Sequence, residues 1–265
     1  LSLPQFHTIS LAARAFDRVL SADTGSSAPG AVARGGFLLG DGTGCGKGRT
    51  IAALLQHVAT APRRPGSGPS PSPPRRCLWV SASRDLLVDA ARDLADTGGA
   101  AAGLSLCEPG GHGTVMFVTY ARLRCTRWMR DIAQWLGGAQ AEGLIVLDEA
   151  HRAKNLAPSR DGRSTMQGRM VQDLQLACPN APVLYSSATA CTEVSQMAYM
   201  SRLGLWGHGA MFRDFGDFRS AVEAWGLTGM EAVALHLKAL GLASCRALTL
   251  EGANLAAHMV PHDPE

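Results

Sequence analysis

Short, mostly apolar runs alternate along this chain with longer stretches of helical periodicity. The apolar runs lie at 36–40, 77–81, 115–119, 144–148 and 183–187, and helical spacing fills 47–61, 84–94, 122–135, 166–177, 193–202 and 230–240. In the first of these helices Ile51, Leu54, Leu55 and Val58 recur at i, i+3, i+4 and i+7, which gives a face that can pack on a sheet. A run such as Leu144-Ile145-Val146-Leu147, apolar at every position, suits a strand covered on both sides. The alternation predicts an α/β fold, a parallel sheet with helices on both faces. An amphipathic stretch at 6–20 and a Gly/Ser-rich turn at 24–30 precede the first strand, and a last short strand is expected at 246–250. From Trp206 onward aromatic and small residues take over, which we read as an extension of the same domain.

Composition narrows the class. The chain has 265 residues, 46% hydrophobic and 18% charged, with 25 Lys+Arg against 22 Asp+Glu for a net charge of +3. That excludes wholesale disorder and a polybasic tail, so any nucleic-acid contact must come from local patches. No apolar run approaches the roughly 18 residues of a membrane-spanning helix, so a soluble domain without membrane partners is expected. Seven cysteines without a C-x-x-C pair argue against a disulfide framework or a zinc site and suit reduced thiols in an intracellular compartment. Residues 63–76, rich in Pro, Gly, Ser and Arg, read as a flexible surface insertion. Leu1 at the start and no secretory signal after it suit a segment of a longer protein.

Three segments carry candidate chemistry. Asp41-Gly42-Thr43-Gly44-Cys45-Gly46-Lys47-Gly48-Arg49 lies where a strand runs into a helix, the setting in which backbone N–H groups of a glycine loop wrap phosphates. Lys47 is expected to meet the β- and γ-phosphates. The match to the Walker A pattern is partial: Asp41 stands at the first glycine, and Gly48 where a Ser/Thr hydroxyl ligates Mg²⁺. Taken alone, the segment also fits a glycine-rich turn with a solvated lysine. The apolar strand at 144–147 ends in Asp148 and Glu149, followed by His151. This order suits Asp148 holding Mg²⁺ and Glu149 orienting or deprotonating the attacking water, with a plain helix cap as the alternative. The strand at 183–187 ends in Ser187-Ala188-Thr189, whose hydroxyls can bond Asp148 or His151 and relay nucleotide state, or simply cap a helix. The order of the three along the chain is stronger evidence than any one of them.

With these segments in hand, the sequence resembles the helicase-like ATPase region of the Strawberry notch family within superfamily 2. Besides the glycine loop, the resemblance runs through Ser81 to Leu86 with Asp89-Ala90 and Arg92-Asp93-Leu94, Val118-Thr119-Tyr120, Asp148 to Asn155, and Ser187-Ala188-Thr189. It continues through Met197 to Gly207 and Gly229-Met230-Glu231. Gly48 is a departure from Walker A that the family shares, whereas His151 gives a DEAH order in place of a Cys-containing variant. The resemblance implies the first RecA-like lobe of an ATPase that takes ATP and Mg²⁺, with Lys47, Asp148 and Glu149 catalytic. Gly42, Thr43, Gly44, Cys45, Gly46, Lys47, Gly48 and Arg49 would form the phosphate loop, and His151, Ser187, Ala188 and Thr189 the coupling residues.

Further implications are a role in nucleic-acid or chromatin remodelling during transcription regulation, nuclear in a eukaryote and cytoplasmic otherwise. The partners would be nucleic acid, DNA ahead of RNA, or chromatin proteins, together with a second RecA-like lobe that supplies an arginine to the transition state. Because no second glycine-loop lobe follows in this chain, the segment alone is expected to turn ATP over very slowly. Gln5 falls where the family carries a glutamine that can read the adenine edge, though a plain surface glutamine fits equally. Ser83, Arg84, Thr119 and Tyr120 sit at strand ends where superfamily 2 proteins touch a nucleic-acid backbone. Arg122, Arg124, Arg127 and Arg130 lie along one helix and read first as a solvated face. Two other classes stay open: a pseudo-helicase scaffold for protein interaction, and a helicase module of a DNA-modification or restriction system.

Overall fold

The computed structural model describes residues 1–21, 32–42, 44–62, 73–150, 166–187 and 194–246. The chain opens with α1 (Leu3–Asp17), a two-stranded antiparallel pair β1 (Val19–Ser21) and β2 (Val32–Arg34), then β3 (Gly36–Leu39) and α2 (Lys47–Thr60). Next come β4 (Cys77–Ser81), α3 (Leu86–Asp96), β5 (Leu106–Cys107), β6 (Val115–Thr119), α4 (Tyr120–Leu123), α5 (Thr126–Leu136) and β7 (Ile145–Asp148). Then follow α6 (Met166–Ala177), β8 (Val183–Ser186), α7 (Phe215–Ala224), α8 (Leu227–Ala239) and β9 (Ala243–Ser244). Seven strands form one sheet in the order β5-β6-β4-β7-β8-β3-β9, parallel throughout.

Hydrophobic patterning explains the architecture. Every residue of β3, β4 and β8 is buried, as strands covered on both faces require. On α2 the stripe Ile51, Leu54, Leu55 and Val58 is buried as its spacing predicts. Helix α2 packs between α1 and α3, and α6 packs with α4 and α5. Register brings the chemistry to one edge: Leu39 lies opposite Ser186, and Ser186 opposite Asp148. The glycine loop after β3 and the acids ending β7 therefore share the carboxyl edge of the sheet, where open α/β sheets place their ligands.

Several elements differ from the sequence reading. The helix expected at 122–135 is two, α4 and α5, because Cys125 is extended (φ −88°, ψ 115°) and breaks the run. The helix expected at 193–202 is a pair of 3₁₀ turns, Val194–Met197 and Ser201–Leu203. Met197, Ala198, Tyr199 and Met200 are buried in succession, so this segment has no polar face for a helix to turn outward. The last strand comes earlier, at Ala243–Ser244; Arg246 lies beyond it, and 247–250 fall outside the described residues. The sequence pattern also missed α7 and the β1–β2 pair. Most of the 63–76 stretch lies outside the described residues, but its end is fixed. Arg75 donates to the carbonyls of Val58 at 2.9 Å and Ala61 at 2.6 Å and pairs with Glu142 at 3.1 Å.

Candidate nucleotide-binding site

Gly46 precedes α2 in the left-handed conformation (φ 75°, ψ 40°), which a residue without Cβ adopts freely and which turns the loop into the helix. Lys47 Nζ donates to the carbonyls of Asp41 at 2.9 Å and Gly42 at 3.3 Å, so the ammonium is held inside the loop that precedes it. Gln5, on α1, is 7% exposed and spans the same loop. Its Nε2 donates to the Gly46 carbonyl at 3.1 Å, and its Oε1 accepts from the backbone N–H of Ser2 at 2.8 Å. Gln5, Gly44, Cys45, Gly46, Gly48, Arg49, Arg92 and Asp93 line a pocket of about 470 Å³. A pocket of about 240 Å³ lined by Phe16, Arg75 and Pro182 sits by the strand beginnings, away from the acids.

Asp41, odd as a Walker A first residue, has a structural use. Fully buried, its Oδ1 accepts from Ser244 Oγ and the Arg246 N–H, both at 3.0 Å, and it forms an ion pair with the Arg246 guanidinium. The Gly40 and Gly42 N–H groups donate to the Ser244 and Arg246 carbonyls at 2.6 and 2.7 Å. The glycine loop is thus braced by the end of β9 and by Arg246 just after it. Nothing local in the sequence announces this, because the partners are more than two hundred residues apart.

At the end of β7 the side chain of Asp148 is held from both neighbouring strands. Ser186 Oγ, closing β8, donates to Oδ1 at 2.9 Å, and Ser81 Oγ, closing β4, donates to Oδ2 at 3.3 Å. The Glu149 N–H adds a third donor at 3.1 Å. Burial nevertheless raises the Asp148 pKa above the ordinary carboxylate value, outweighing these hydrogen bonds. Glu149 follows at φ 50°, the one non-glycine residue with positive φ among the described residues. Such backbone costs an L residue roughly 1–2 kcal/mol and collects at functional sites. A hard carboxylate oxygen fixed at a strand end is the donor that Mg²⁺ prefers, so the donor set at this edge fits the metal.

The raised pKa carries a sign. An acid whose folded pKa exceeds its unfolded value adds stability below the unfolded pKa and loses it as pH rises through the folded one. Asp148→Asn is therefore expected to raise the Tm at pH 7 in EDTA and to leave it nearly unchanged near pH 3. Thermal melts at the two pH values check this, and an equal shift at both would refute it.

The remaining expected residues are placed as follows. Ser187 is fully buried and its N–H donates to the Leu39 carbonyl at 3.0 Å, but the hydroxyl on Asp148 belongs to its neighbour Ser186. Ser83 bonds Asp85, and Arg84, exposed, pairs with Glu108 at 2.6 Å. Thr119 is half-buried at the start of α4. Tyr120 does not lie on a surface that a strand could reach: it is 2% exposed, and its hydroxyl has no hydrogen-bond partner among the described residues. Burial pushes its pKa well up, with further contributions from Tyr199, Asp148 and Glu149. Arg122, Arg124, Arg127 and Arg130 are exposed, with Arg122 stacked over Trp128 and Arg127 paired with Asp131. Thr43, His151, Ala188 and Thr189 lie outside the described residues. Sequence reasoning gave no role to Ser81, Asp93, Ser244 and Arg246; Ser81 and Asp93 fell within segments of the family resemblance, and Ser81 also at a strand end, while nothing marked the other two.

A parallel sheet with a glycine loop opening one helix, and an acidic strand end two strands away, defines a RecA-like P-loop NTPase domain of the helicase-like ATPase class. The chain belongs to the family described as "P-loop containing NTP hydrolase pore-1", whose model matches residues 1–265. Protein strawberry notch of Drosophila melanogaster is 37% identical over 290 aligned positions, which take in 100% of this chain and 16% of that protein. The strawberry notch homolog of Caenorhabditis elegans is 41% identical over 249 positions, 86% of this chain and 13% of that protein. Protein FORGETTER 1 of Arabidopsis thaliana is 38% identical over 236 positions, 83% of this chain and 17% of that protein. The chain thus spans about a sixth or less of these relatives. Among solved structures, the Sulfolobus solfataricus SWI2/SNF2 ATPase core in complex with dsDNA superposes with a TM-score of 0.52 at 17% identity, over 80% of this chain and 40% of that one. That likeness speaks to the fold. No helix among the described residues is long and apolar enough to cross a membrane.

Proposed function

We propose that this domain binds ATP with Mg²⁺ at the glycine loop and that its parent protein hydrolyses ATP by in-line attack of water. The observation that carries the reading is the convergence on one sheet edge of Lys47 and of Asp148 held by Ser81 and Ser186. Lys47 releases the carbonyls of Asp41 and Gly42 and turns its ammonium to the phosphates, while the α2 N-terminus offers its unpaired N–H groups to them. Asp148 offers a carboxylate oxygen to Mg²⁺, whose charge, when bound, offsets that of the phosphates. Glu149, the next residue, orients the water and accepts its proton. Gln5, bonded to Gly46, is the residue we assign to the adenine edge, a reading supported by its position against the loop.

In the parent protein we assign this domain the role of the first of two RecA-like lobes, coupling the ATP cycle to nucleic acid, DNA ahead of RNA, or to chromatin proteins in the nucleus. Ser83, Arg84 and Thr119 are the contacts proposed for a phosphate backbone. A phosphate reaching Arg84 would displace Glu108 from it.

Lys47→Ala tests the nucleotide reading. Calorimetric titration with ATP and Mg²⁺ is expected to show affinity reduced about 100-fold or more, roughly 2.7 kcal/mol, while the Tm moves by no more than a few degrees. Unchanged affinity would refute the glycine-loop assignment.

A further inference from the structure

Gly48 stands where a Ser or Thr hydroxyl ordinarily binds the metal, and its place is taken by another side chain. A Cβ built on Gly48 would lie 1.9 Å from Asp93 Oδ2 and 3.0 Å from Asp93 Cγ. The carboxylate of α3 thus fills the space in which a Ser or Thr side chain would begin. No unusual backbone conformation calls for glycine here, and glycine within a helix costs about 1 kcal/mol relative to alanine. The approach of Asp93 supplies the reason for it.

We propose that Asp93 provides, across the helix interface, the oxygen ligand for the nucleotide's Mg²⁺ that the glycine loop lacks at Gly48. The orientation of the carboxylate supports this. The neighbouring arginines approach its other oxygen: Arg49 Nε lies 3.9 Å and Arg92 NH2 3.8 Å from Oδ1. Each has a closer partner elsewhere, Arg49 in Asp96 at 2.8 Å and Arg92 in Asp89 at 2.9 Å. Oδ2, turned to Gly48, accepts no hydrogen bond among the described residues. The side chain is 15% exposed and shares the pocket wall with Gly44, Gly46 and Gly48. Mg²⁺ in nucleotide sites is held by one or two carboxylates together with phosphate oxygens, so a carboxylate from α3 at this wall is an ordinary donor brought from an unusual position.

A carboxylate differs from a hydroxyl in one measurable respect. Without the cation it repels the polyphosphate, and with it the same group becomes an attractive ligand, so nucleotide affinity depends on Mg²⁺ more steeply. The inference rests on the nucleotide reading above, and its test separates the two. ATP is titrated calorimetrically into the wild-type chain, Asp93→Asn, and the double variant Asp93→Ala/Gly48→Ser, each with Mg²⁺ and with EDTA. The wild type is expected to bind at least about 30-fold more tightly with Mg²⁺. Asp93→Asn, of the same shape, is expected to lose most of that ratio, and the double variant, with a hydroxyl at the usual place, to recover part of it. A ratio unchanged in Asp93→Asn overturns the proposal, including when the Tm falls, because that pattern marks a packing role alone. Equal wild-type binding with and without Mg²⁺ overturns the proposal and the metal role of Asp148 but leaves ATP binding at the glycine loop standing; no wild-type binding in either condition overturns the nucleotide reading as well.

Discussion

Glu149→Gln in the full-length parent protein is expected to lower ATP hydrolysis by roughly 10²–10⁴-fold, the usual worth of a positioned general base, with ATP affinity within about two-fold of wild type. The substitution keeps volume and hydrogen-bonding reach and removes the negative charge together with the capacity to accept a proton. The positive φ of Glu149 places this side chain differently from a residue continuing β7, and Gln tolerates that backbone no worse than Glu. Single-turnover hydrolysis with pre-bound ATP is the measurement, since it separates chemistry from binding and product release. A variant as fast as wild type would remove Glu149 from the reaction. Wild-type protein that binds ATP but shows no hydrolysis in the same assay would favour the scaffold class, in which the nucleotide fold serves protein interaction.

What the sequence disclosed is what short-range periodicity and local motifs can encode. The β3 strand, the α2 stripe and the acids ending β7 each lie within a dozen residues of chain, and the apolar pattern places them correctly. Elements without that regularity were lost: the buried run Met197 to Met200 carries no helical period, and β9 is two residues long. The bracing of the site was less legible still. Ser81 reaches Asp148 from 67 residues away, Arg246 reaches Asp41 from 205, and Asp93 meets Gly48 only because α2 and α3 pack side by side. Two glycine-loop departures that weaken the motif match, Asp41 and Gly48, acquire partners in three dimensions. A motif comparison scores each as a loss, whereas the fold gives each a contact that the consensus residue could not make.

Arg202 shows how far stability depends on such invisible contacts. It is 4% exposed, burial lowers its pKa, and no carboxylate pairs with it among the described residues. Its guanidinium instead donates to backbone carbonyls: Arg34 and Pro179 at 2.9 Å, Cys178 at 3.2 Å, Ala181 at 3.4 Å, and Gln175. Gln175 lies in the last turn of α6 and Cys178 just beyond it, where the helix's last carbonyls need partners and carry the negative end of its dipole. Arg34 closes β2, just before β3, so one side chain fastens the chain entering β3 to the helix and turn that feed β8. Arg202→Leu removes the charge and takes the guanidinium donors from these carbonyls; Pro179 keeps the Arg34 N–H at 2.8 Å and Cys178 the Ala181 N–H at 3.2 Å, but the others lose a buried partner, a loss of about 3–5 kcal/mol against a typical domain stability of about 5–15 kcal/mol. At about 2–4 °C per kcal/mol for a domain of this size, the Tm is expected to fall by roughly 6–20 °C. Arg202→Lys, with fewer donors on a shorter reach, is expected to fall between the two. Thermal melts of the three proteins without nucleotide check this. A Tm for Arg202→Leu within about 2 °C of wild type would mean that the carbonyls find other partners and that Arg202 is held in place for some reason other than the fold.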